Sequence, residues 1–490
     1  MLTALDIQTI DNFLTYLKRL DNAPMFIYQD QVFSYGNMYE HSLAISNWLS
    51  KNKARKVMFA INNSPFSVGL FFASWQQRLK CIPVNPRFIA NELFGLVKRA
   101  KPDLLIIEPQ QHSDLLNDYC QAQHIKLIII HDALDYLHNV KKTSGNITTG
   151  LAQAKHDGIT YHISSGTGGH YNFHGHYTYQ ILAYAYARQF DYGLKRGDIS
   201  LMHLSFNHAY AFSYQLLPNI ALGNCMVLAP SFDATTSLKL VEKYKITALA
   251  LLPTMYYQLA LEAKKNPIDH KLRHLSVAGD QPSEALSYLI KETFKTPLLN
   301  GLGMTEVYGY AQNLTEYSTY NKIKIFDDVE IKTKPIEHDH LNNTQQGIGE
   351  LYIKTPMQPI SHQGKWLATG DYGYIDDEHH LYFLGRIKDI IVKGGSKIAP
   401  LELEHYLYQL SDIEQVAVIG KKDDIWGELV CACVATKENK PLALNNINTF
   451  LTPFLATYKH IDQLYLYPQL PLNITGKIDR FRLKTEINHA

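Results

Sequence analysis

The stretch Arg386-Ile-Lys388-Asp-Ile-Ile-Val-Lys-Gly394-Gly395-Ser-Lys-Ile-Ala-Pro400-Leu-Glu402-Leu-Glu404 divides two differently patterned parts of the chain. Upstream, short β-branched and aliphatic runs recur between helical patterns, at Lys56 to Ile61, Leu104 to Ile107, Lys126 to Ile130, and Ile246 to Leu252 before a periodic Met255 to Ala263. This alternation predicts α/β layers with largely parallel sheets. From Ile323 to Lys354 and from Ala368 to Leu384, apolar and polar residues alternate between Gly and Asp turns, which predicts a β-rich, more antiparallel subdomain. Downstream lies a compact tail with strand patterns of its own, Gln415 to Gly420 and Leu429 to Thr436, and its own helices. The expected fold is therefore α/β, with a large N-terminal domain over residues 1–385 and a small α+β C-terminal domain over residues 386–490.

Length and composition agree with two domains and narrow the partners. A chain of 490 residues exceeds the size at which one core keeps growing, and 46% hydrophobic content can bury two. Forty-seven basic against 46 acidic residues leave a formal charge of +1, no field for nucleic acid or an anionic membrane. The five cysteines are scattered and lack metal-finger spacing; Cys431 and Cys433 alternate as same-face strand residues would, so reduced core thiols are expected. Asp6 and Asp11 stand where a signal peptide needs a basic flank, and the longest apolar stretch, around Phe66 to Trp75, is too short to span a bilayer. A cytoplasmic protein is expected, monomeric or homodimeric. Among 22 histidines, Glu337-His-Asp-His340 and His170/His174/His176 have the residue types of metal sites, the first in a polar stretch and the second within a glycine loop.

Four motifs carry chemistry. In Ile159-Thr-Tyr-His-Ile-Ser164-Ser165-Gly166-Thr167-Gly168-Gly169, a strand runs into a loop whose backbone N–H groups and hydroxyls can cradle an anion, although such a loop is also a common plain turn. It lacks the Gly-Lys-Ser/Thr ending of a Walker loop. In Asn300-Gly301-Leu302-Gly303-Met304-Thr305-Glu306, a carboxylate follows an apolar run, where it either meets a cation or opens a helix. Thr369-Gly-Asp371 puts a carboxylate in a tight turn, where its two oxygens can accept from vicinal hydroxyls. Near the C-terminus, Pro471-Leu-Asn-Ile-Thr-Gly-Lys477-Ile-Asp-Arg480 places one lysine just after a glycine.

In this order and at these intervals the motifs resemble those of the adenylate-forming superfamily of acyl- and aryl-CoA ligases, luciferases and nonribosomal adenylation domains. The resemblance covers nearly the whole chain, with weaker agreement at Phe33-Ser-Tyr35, Asn63-Ser-Pro65 and Pro83-Val-Asn-Pro86. It implies that residues 164–169 hold nucleotide phosphate, with two departures: Gly168 replaces a threonine, and Asn172 stands where the family has a lysine. It further implies that Thr305 touches phosphate and Glu306 reaches Mg²⁺. Ala278, Gly279 and Asp280, with Asn300 to Met304, would bind the adenine side, and Asp371 and Arg386 the ribose. Lys388 would be the hinge of a mobile C-terminal domain, Lys477 the catalytic cation, and Gly394-Gly395 the lining of the thiol channel.

The same resemblance puts the acid in a pocket including Phe206-Asn-His208-Ala-Tyr-Ala-Phe212, with His208 as a catalytic gate, though the segment also reads as plain core. Neutral Asn207, where amino-acid-activating relatives have an aspartate, disfavours an amino-acid substrate. The implied enzyme is an ATP- and Mg²⁺-dependent ligase joining a small carboxylic acid to coenzyme A through an acyl-adenylate. The alternatives are a stand-alone adenylation enzyme loading an acyl-carrier protein, and a non-catalytic nucleotide- or acyl-binding protein.

Overall fold

Strands form where the aliphatic runs lie. In the computed structural model, which describes residues 9–143, 158–165, 171–229, 231–279, 282, 284–313, 322–335, 347–472 and 477–489, Lys56–Ala60, Leu104–Ile107 and Lys126–Ile129 pair in parallel. Every residue of Leu104–Ile107 is buried, because a strand covered on both faces needs a continuous apolar run. The sheet continues through Lys80–Pro83 to Ile159–Ser165 and then Tyr171–Tyr177, the last pair antiparallel. A second sheet has five central parallel strands, Cys225–Leu228, Ile199–Met202, Ala248–Leu251, His274–Val277 and Leu298–Met304. Tyr308–Gln312 closes one edge antiparallel to Leu298–Met304, and Pro24–Tyr28 with Gln31–Ser34 closes the other.

The longest apolar stretch becomes the helix Pro65–Gln76, buried along its whole length. A helix apolar on all sides has no face to give to water, so it lies between layers. Its Phe71 ring packs on Phe59 of the first sheet and on Phe212 beside the second, with ring centroids 5.2 and 4.9 Å apart. This sandwiched helix joins the two sheets into one core.

The predicted antiparallel subdomain is a five-stranded sheet in the order Lys322–Lys324, His380–Arg386, Leu367–Ile375, Gly349–Lys354, Glu330–Lys334. Gly349–Lys354 alternates buried and half-buried positions, as the sequence does. The small C-terminal domain is built on Gly427–Thr436, antiparallel to Ile413–Asp423 and parallel to Gln463–Tyr467. Cys431 and Cys433 share its inner face with Leu483 and Ile487 of the terminal helix Arg480–His489. All five cysteines are free and buried. Between the domains, Arg386 ends the strand His380–Arg386, Ile387–Asp389 makes one 3₁₀ turn with Lys388 exposed, and Ile391–Lys393 starts the C-terminal sheet. Among the described residues, no helix is long and apolar enough to cross a membrane.

Two local readings change. Glu306 opens no helix: Thr305 to Val307 form the turn of a hairpin between Leu298–Met304 and Tyr308–Gln312. Asp371 sits in no tight turn but within the strand Leu367–Ile375, where it pairs with Arg386.

Candidate active site

The hairpin Ile159–Ser165/Tyr171–Tyr177 has two chemically different faces. Its register sets Thr160 opposite His176, His162 opposite His174 and Ser164 opposite Asn172, so all six share one face, while Tyr161, Ile163, Tyr171 and Phe173 line the other. The polar face turns inward: Thr160, His162 and His176 are fully buried. The Thr160 hydroxyl accepts from the Trp75 indole at 2.9 Å, and His162 Nδ1 lies 3.0 Å from the Tyr308 hydroxyl. Residues 166–170, including Gly166, Thr167, Gly168, Gly169 and His170, lie outside the described residues, as does the side chain of Ser165. The cluster at residues 337–340 lies outside them too.

This polar face meets the turn at Glu306. His176 Nε2 is 2.8 Å from the Glu306 backbone carbonyl, and His174 Nε2 is 3.3 Å from the Glu306 carboxylate and 2.8 Å from Ser164 Oγ. Burial pushes the His176 imidazole down to about 4. Burial also lowers His174, against the opposing pull of Glu306. Just past the turn, Tyr308 adopts φ of +61° with its ring buried between His162 and His176. A bulky residue in the left-handed region costs about 1–3 kcal/mol, so the surrounding packing must hold this turn in place.

A second carboxylate lies on the neighbouring five-stranded sheet. Asp371 and Arg386 are register partners on adjacent strands, with Arg386 Nε 2.9 Å from the Asp371 carboxylate. Asp371 is 2% exposed, and Tyr310 donates to its other oxygen at 3.3 Å. Burial pushes its carboxyl up to about 6; Arg386 lowers it, and the negative charge of Glu306 raises it again. Asp371 Oδ1 has an ion-pair partner but no aligned hydrogen bond, which leaves acceptor capacity for a ligand hydroxyl. Asn300, 2% exposed, has both side-chain polar atoms buried without a partner among the described residues. Orphaned buried amides are costly, and a polar ligand would satisfy this one.

The floor of the candidate site lies at the carboxyl ends of the parallel strands, where open α/β sheets bind ligands. Ala278 and Gly279 leave the strand His274–Val277 there, Gly279 with φ of +88°; Asp280 lies outside the described residues. Lys477 of the C-terminal domain reaches this floor: a Cβ on Gly279 would sit 3.6 Å from Lys477 Cε and 3.8 Å from Nζ. His208 is exposed yet ringed by protein, as a residue lining a cleft is; this crowding, with the Lys477 charge, pushes its imidazole down to about 4. Asn63 holds the His208 segment, accepting from Phe206 N and donating to Leu204 O, both at 2.8 Å. Asn207 spends its amide on Ile61 O at 3.1 Å, and from Ala211 the segment coils into a helix. Leu302, Met304 and Thr305 are half-buried and Gly303 is exposed at the strand end, whereas Gly301 is buried against Tyr214. Gly394 and Gly395 turn an exposed hairpin of the C-terminal sheet, where Gly394 packs on Trp426.

The family model of the AMP-binding enzyme matches residues 15–359, and that of the AMP-binding enzyme C-terminal domain matches residues 402–477. The chain belongs to the AMP-binding enzyme family, within the adenylate-forming superfamily. It is 26% identical to 2-succinylbenzoate–CoA ligase of Bacillus pumilus, over 94% of each chain. To 4-coumarate–CoA ligase 1 of Arabidopsis thaliana it is 24% identical, over 93% of this chain and 88% of that one. Two solved structures share the fold. ATP-bound MatB from Rhodopseudomonas palustris superposes with a TM-score of 0.84 at 17% identity, covering 97% of this chain and 99% of its own. The anthranilate–CoA ligase AuaEII with anthranoyl-AMP gives 0.84 at 21%, covering 97% and 96%.

Tyr308, Tyr310 and His162 were not singled out for the site, and Asn63, His174 and His176 entered the sequence reading without the roles seen here. The histidine face had a signal in the sequence: the polar residues of Ile159–Ser165 and Tyr171–Tyr177 recur at a period of two, opposite an apolar set.

Proposed function

We propose that this AMP-binding enzyme activates a small carboxylic acid with ATP and passes the acyl group to the thiol of coenzyme A. A carboxylate oxygen of the acid attacks the α-phosphorus, pyrophosphate leaves and an acyl-adenylate forms. The thiol sulfur then attacks the acyl carbon, its proton goes to solvent and AMP leaves. The observation that carries the reading is Lys477, which the C-terminal domain delivers to the cleft floor at Gly279 beside His208. There its ammonium offsets the approach of two anions and the charge that builds between them.

The other residues take supporting roles. Asp371, steadied by Arg386, accepts from the ribose hydroxyls, and Asn300 with Ala278 to Asp280 and Gly301 to Met304 forms the adenine side. Residues 164–169 and Thr305 hold phosphate. Glu306 holds Mg²⁺, a fit supported by a partly exposed carboxylate on a braced turn, and the ion neutralises phosphate charge when bound. Neutral His208 guards the acid entrance. Asn207 offers no carboxylate to an amino-acid ammonium, which favours a simple acid. With the domain boundary at 385/386, rotation about Lys388 withdraws Lys477 and brings Gly394-Gly395 to the cleft for the thiol. The relatives named as CoA ligases support CoA over a carrier protein as acceptor.

The test is to incubate the pure protein with ATP, Mg²⁺ and a panel of aryl and short- to medium-chain acids, then measure pyrophosphate, AMP and CoA thioester. Pyrophosphate without thioester on CoA, but with acyl transfer to a phosphopantetheinylated carrier, would move the assignment to a carrier-loading enzyme. No pyrophosphate from any acid would leave a binding protein.

A further inference from the structure

One nitrogen of the phosphate-side hairpin has two oxygens around it. His174 Nε2 lies 2.8 Å from Ser164 Oγ and 3.3 Å from Glu306 Oε1. A ring nitrogen has a single in-plane position, so it makes one well-aligned hydrogen bond and the two oxygens compete for it. A divalent cation resolves the conflict by taking the nitrogen lone pair and the carboxylate together. Cis ligands on an octahedral ion with bonds of about 2.1 Å lie about 3.0 Å apart, close to the spacing already present. Among the described residues, no lysine or arginine lies within ion-pair distance of Glu306.

The three groups are also held and reachable. Ser164 and His174 project from the same face of one hairpin, fixed by the register that pairs His162 with His174. Glu306 sits on a turn whose backbone carbonyl is bound by the buried His176 and which the left-handed Tyr308 closes. The side chains of His174 and Glu306 keep 14% and 22% of their surface open. His362 on the neighbouring 3₁₀ turn Ile360–His362 faces the same imidazole.

We propose that Ser164, His174 and Glu306 together form the divalent-cation seat of this chain, with the His174 imidazole as a nitrogen ligand beside the Glu306 carboxylate. The inference rests on reading Glu306 as a cation ligand and adds to it a consequence for selectivity. Carboxylate, hydroxyl and water suit Mg²⁺, whereas an imidazole nitrogen favours first-row transition ions. The seat therefore takes Mn²⁺ in preference to Mg²⁺.

The experiment uses the full-length protein with Mn²⁺ and β,γ-methylene ATP, read by pulsed electron paramagnetic resonance and by Mg²⁺ competition. Nitrogen modulation of the Mn²⁺ signal that changes when the protein carries ¹⁵N-histidine is expected, with Mn²⁺ bound at least tenfold more tightly than Mg²⁺. His174→Gln should abolish the modulation and most of the Mn²⁺ preference. A wild-type signal indifferent to ¹⁵N-histidine overturns the proposal without depending on how any variant folds. If Glu306→Gln weakens both cations but His174→Gln changes neither, the seat is oxygen-only and the Glu306 assignment stands. If Glu306→Gln leaves both cations bound as before, that assignment falls and this one with it.

Discussion

On the proposed function, the two ends of the nucleotide site face different problems and are built differently. At the proposed ribose end, Asp371 and Arg386 are register partners on adjacent strands, held together by an ion pair of 2.9 Å. At the phosphate end, the loop lysine is replaced by an exposed asparagine, Asn172, and histidines line the inner face of the hairpin. Binding two neutral vicinal hydroxyls requires fixed acceptors at fixed distances, which leaves little freedom in residue type. Neutralising phosphate requires only compensating charge within reach, and a cation, a histidine or a lysine from another domain can supply it. On that reading the ribose end is constrained by geometry and the phosphate end by total charge.

The largest effect expected from this contrast is at Lys477. With no lysine in the loop, the mobile ammonium carries more of the charge balance while two anions are joined, so Lys477→Ala should slow adenylation about a hundred- to a thousandfold. Thioester formation from supplied acyl-adenylate should change far less, since no second anion approaches in that step. Equal losses in both half-reactions, measured by pyrophosphate release and by CoA consumption, would refute the role. Lys388→Pro should show the opposite split. Proline opposes backbone rotation by about 3 kcal/mol where its φ does not fit, so thioester formation should slow by up to roughly a hundredfold while adenylate accumulates. An unchanged rate would place the pivot elsewhere.

Restoring the missing charge tests the phosphate end itself. Asn172 is exposed and opposite Ser164, so Asn172→Lys has room for its side chain. A charge-assisted hydrogen bond contributes about 1.5–3 kcal/mol, and the KM for ATP should fall roughly ten- to a hundredfold. AMP, which has no β- or γ-phosphate, should bind as before. No gain for ATP would mean that the histidine face already compensates, and an equal gain for AMP would mean that position 172 does not face those phosphates.

What could be read from the sequence follows the same division. Thr369-Gly-Asp371 and Arg386 were legible through the order and spacing of the family's motifs; turn chemistry misled, because Asp371 lies within the strand Leu367–Ile375, whose register sets it beside Arg386. The apolar runs gave the parallel strands to within about two residues, since full burial demands continuous aliphatics. The strand Tyr171–Tyr177 was hidden because a glycine-rich loop precedes it and its inward face is polar, the reverse of the usual alternation. Asn63 could not be tied to the His208 segment from sequence: its partners Leu204 and Phe206 lie 141 and 143 residues away. Tyr308 was equally silent, because nothing local distinguishes a tyrosine held at positive φ by packing from one in an ordinary strand.

The smallest effect tests whether the ribose end depends on an ionised acceptor. Burial raises the Asp371 carboxyl from 3.8 to about 6, with Arg386 offsetting only part of the cost. A raised carboxyl pKa means that the folded state holds the proton more tightly than the unfolded chain. This residue therefore lowers the stability of the free protein as pH rises from about 4 to about 6, and its contribution is constant above that. Ligand binding has the opposite sign, because protonation turns one acceptor oxygen into a donor and the two ribose hydroxyls lose a partner. Adenosine is the suitable probe: it keeps both hydroxyls and lacks a phosphate, whose own second ionisation lies near 6. The buried His176 imidazole, pushed down to about 4, stays neutral across the window. Calorimetry should show adenosine binding about tenfold more weakly at pH 5 than at pH 7. Asp371→Asn should bind weakly and equally at both pH values, and 2′-deoxyadenosine should show a smaller pH effect on the native protein. A native pH profile as flat as that of the variant would mean that the Arg386–Asp371 pair recognises ribose by shape rather than charge, and the contrast between the two ends of the cleft would disappear.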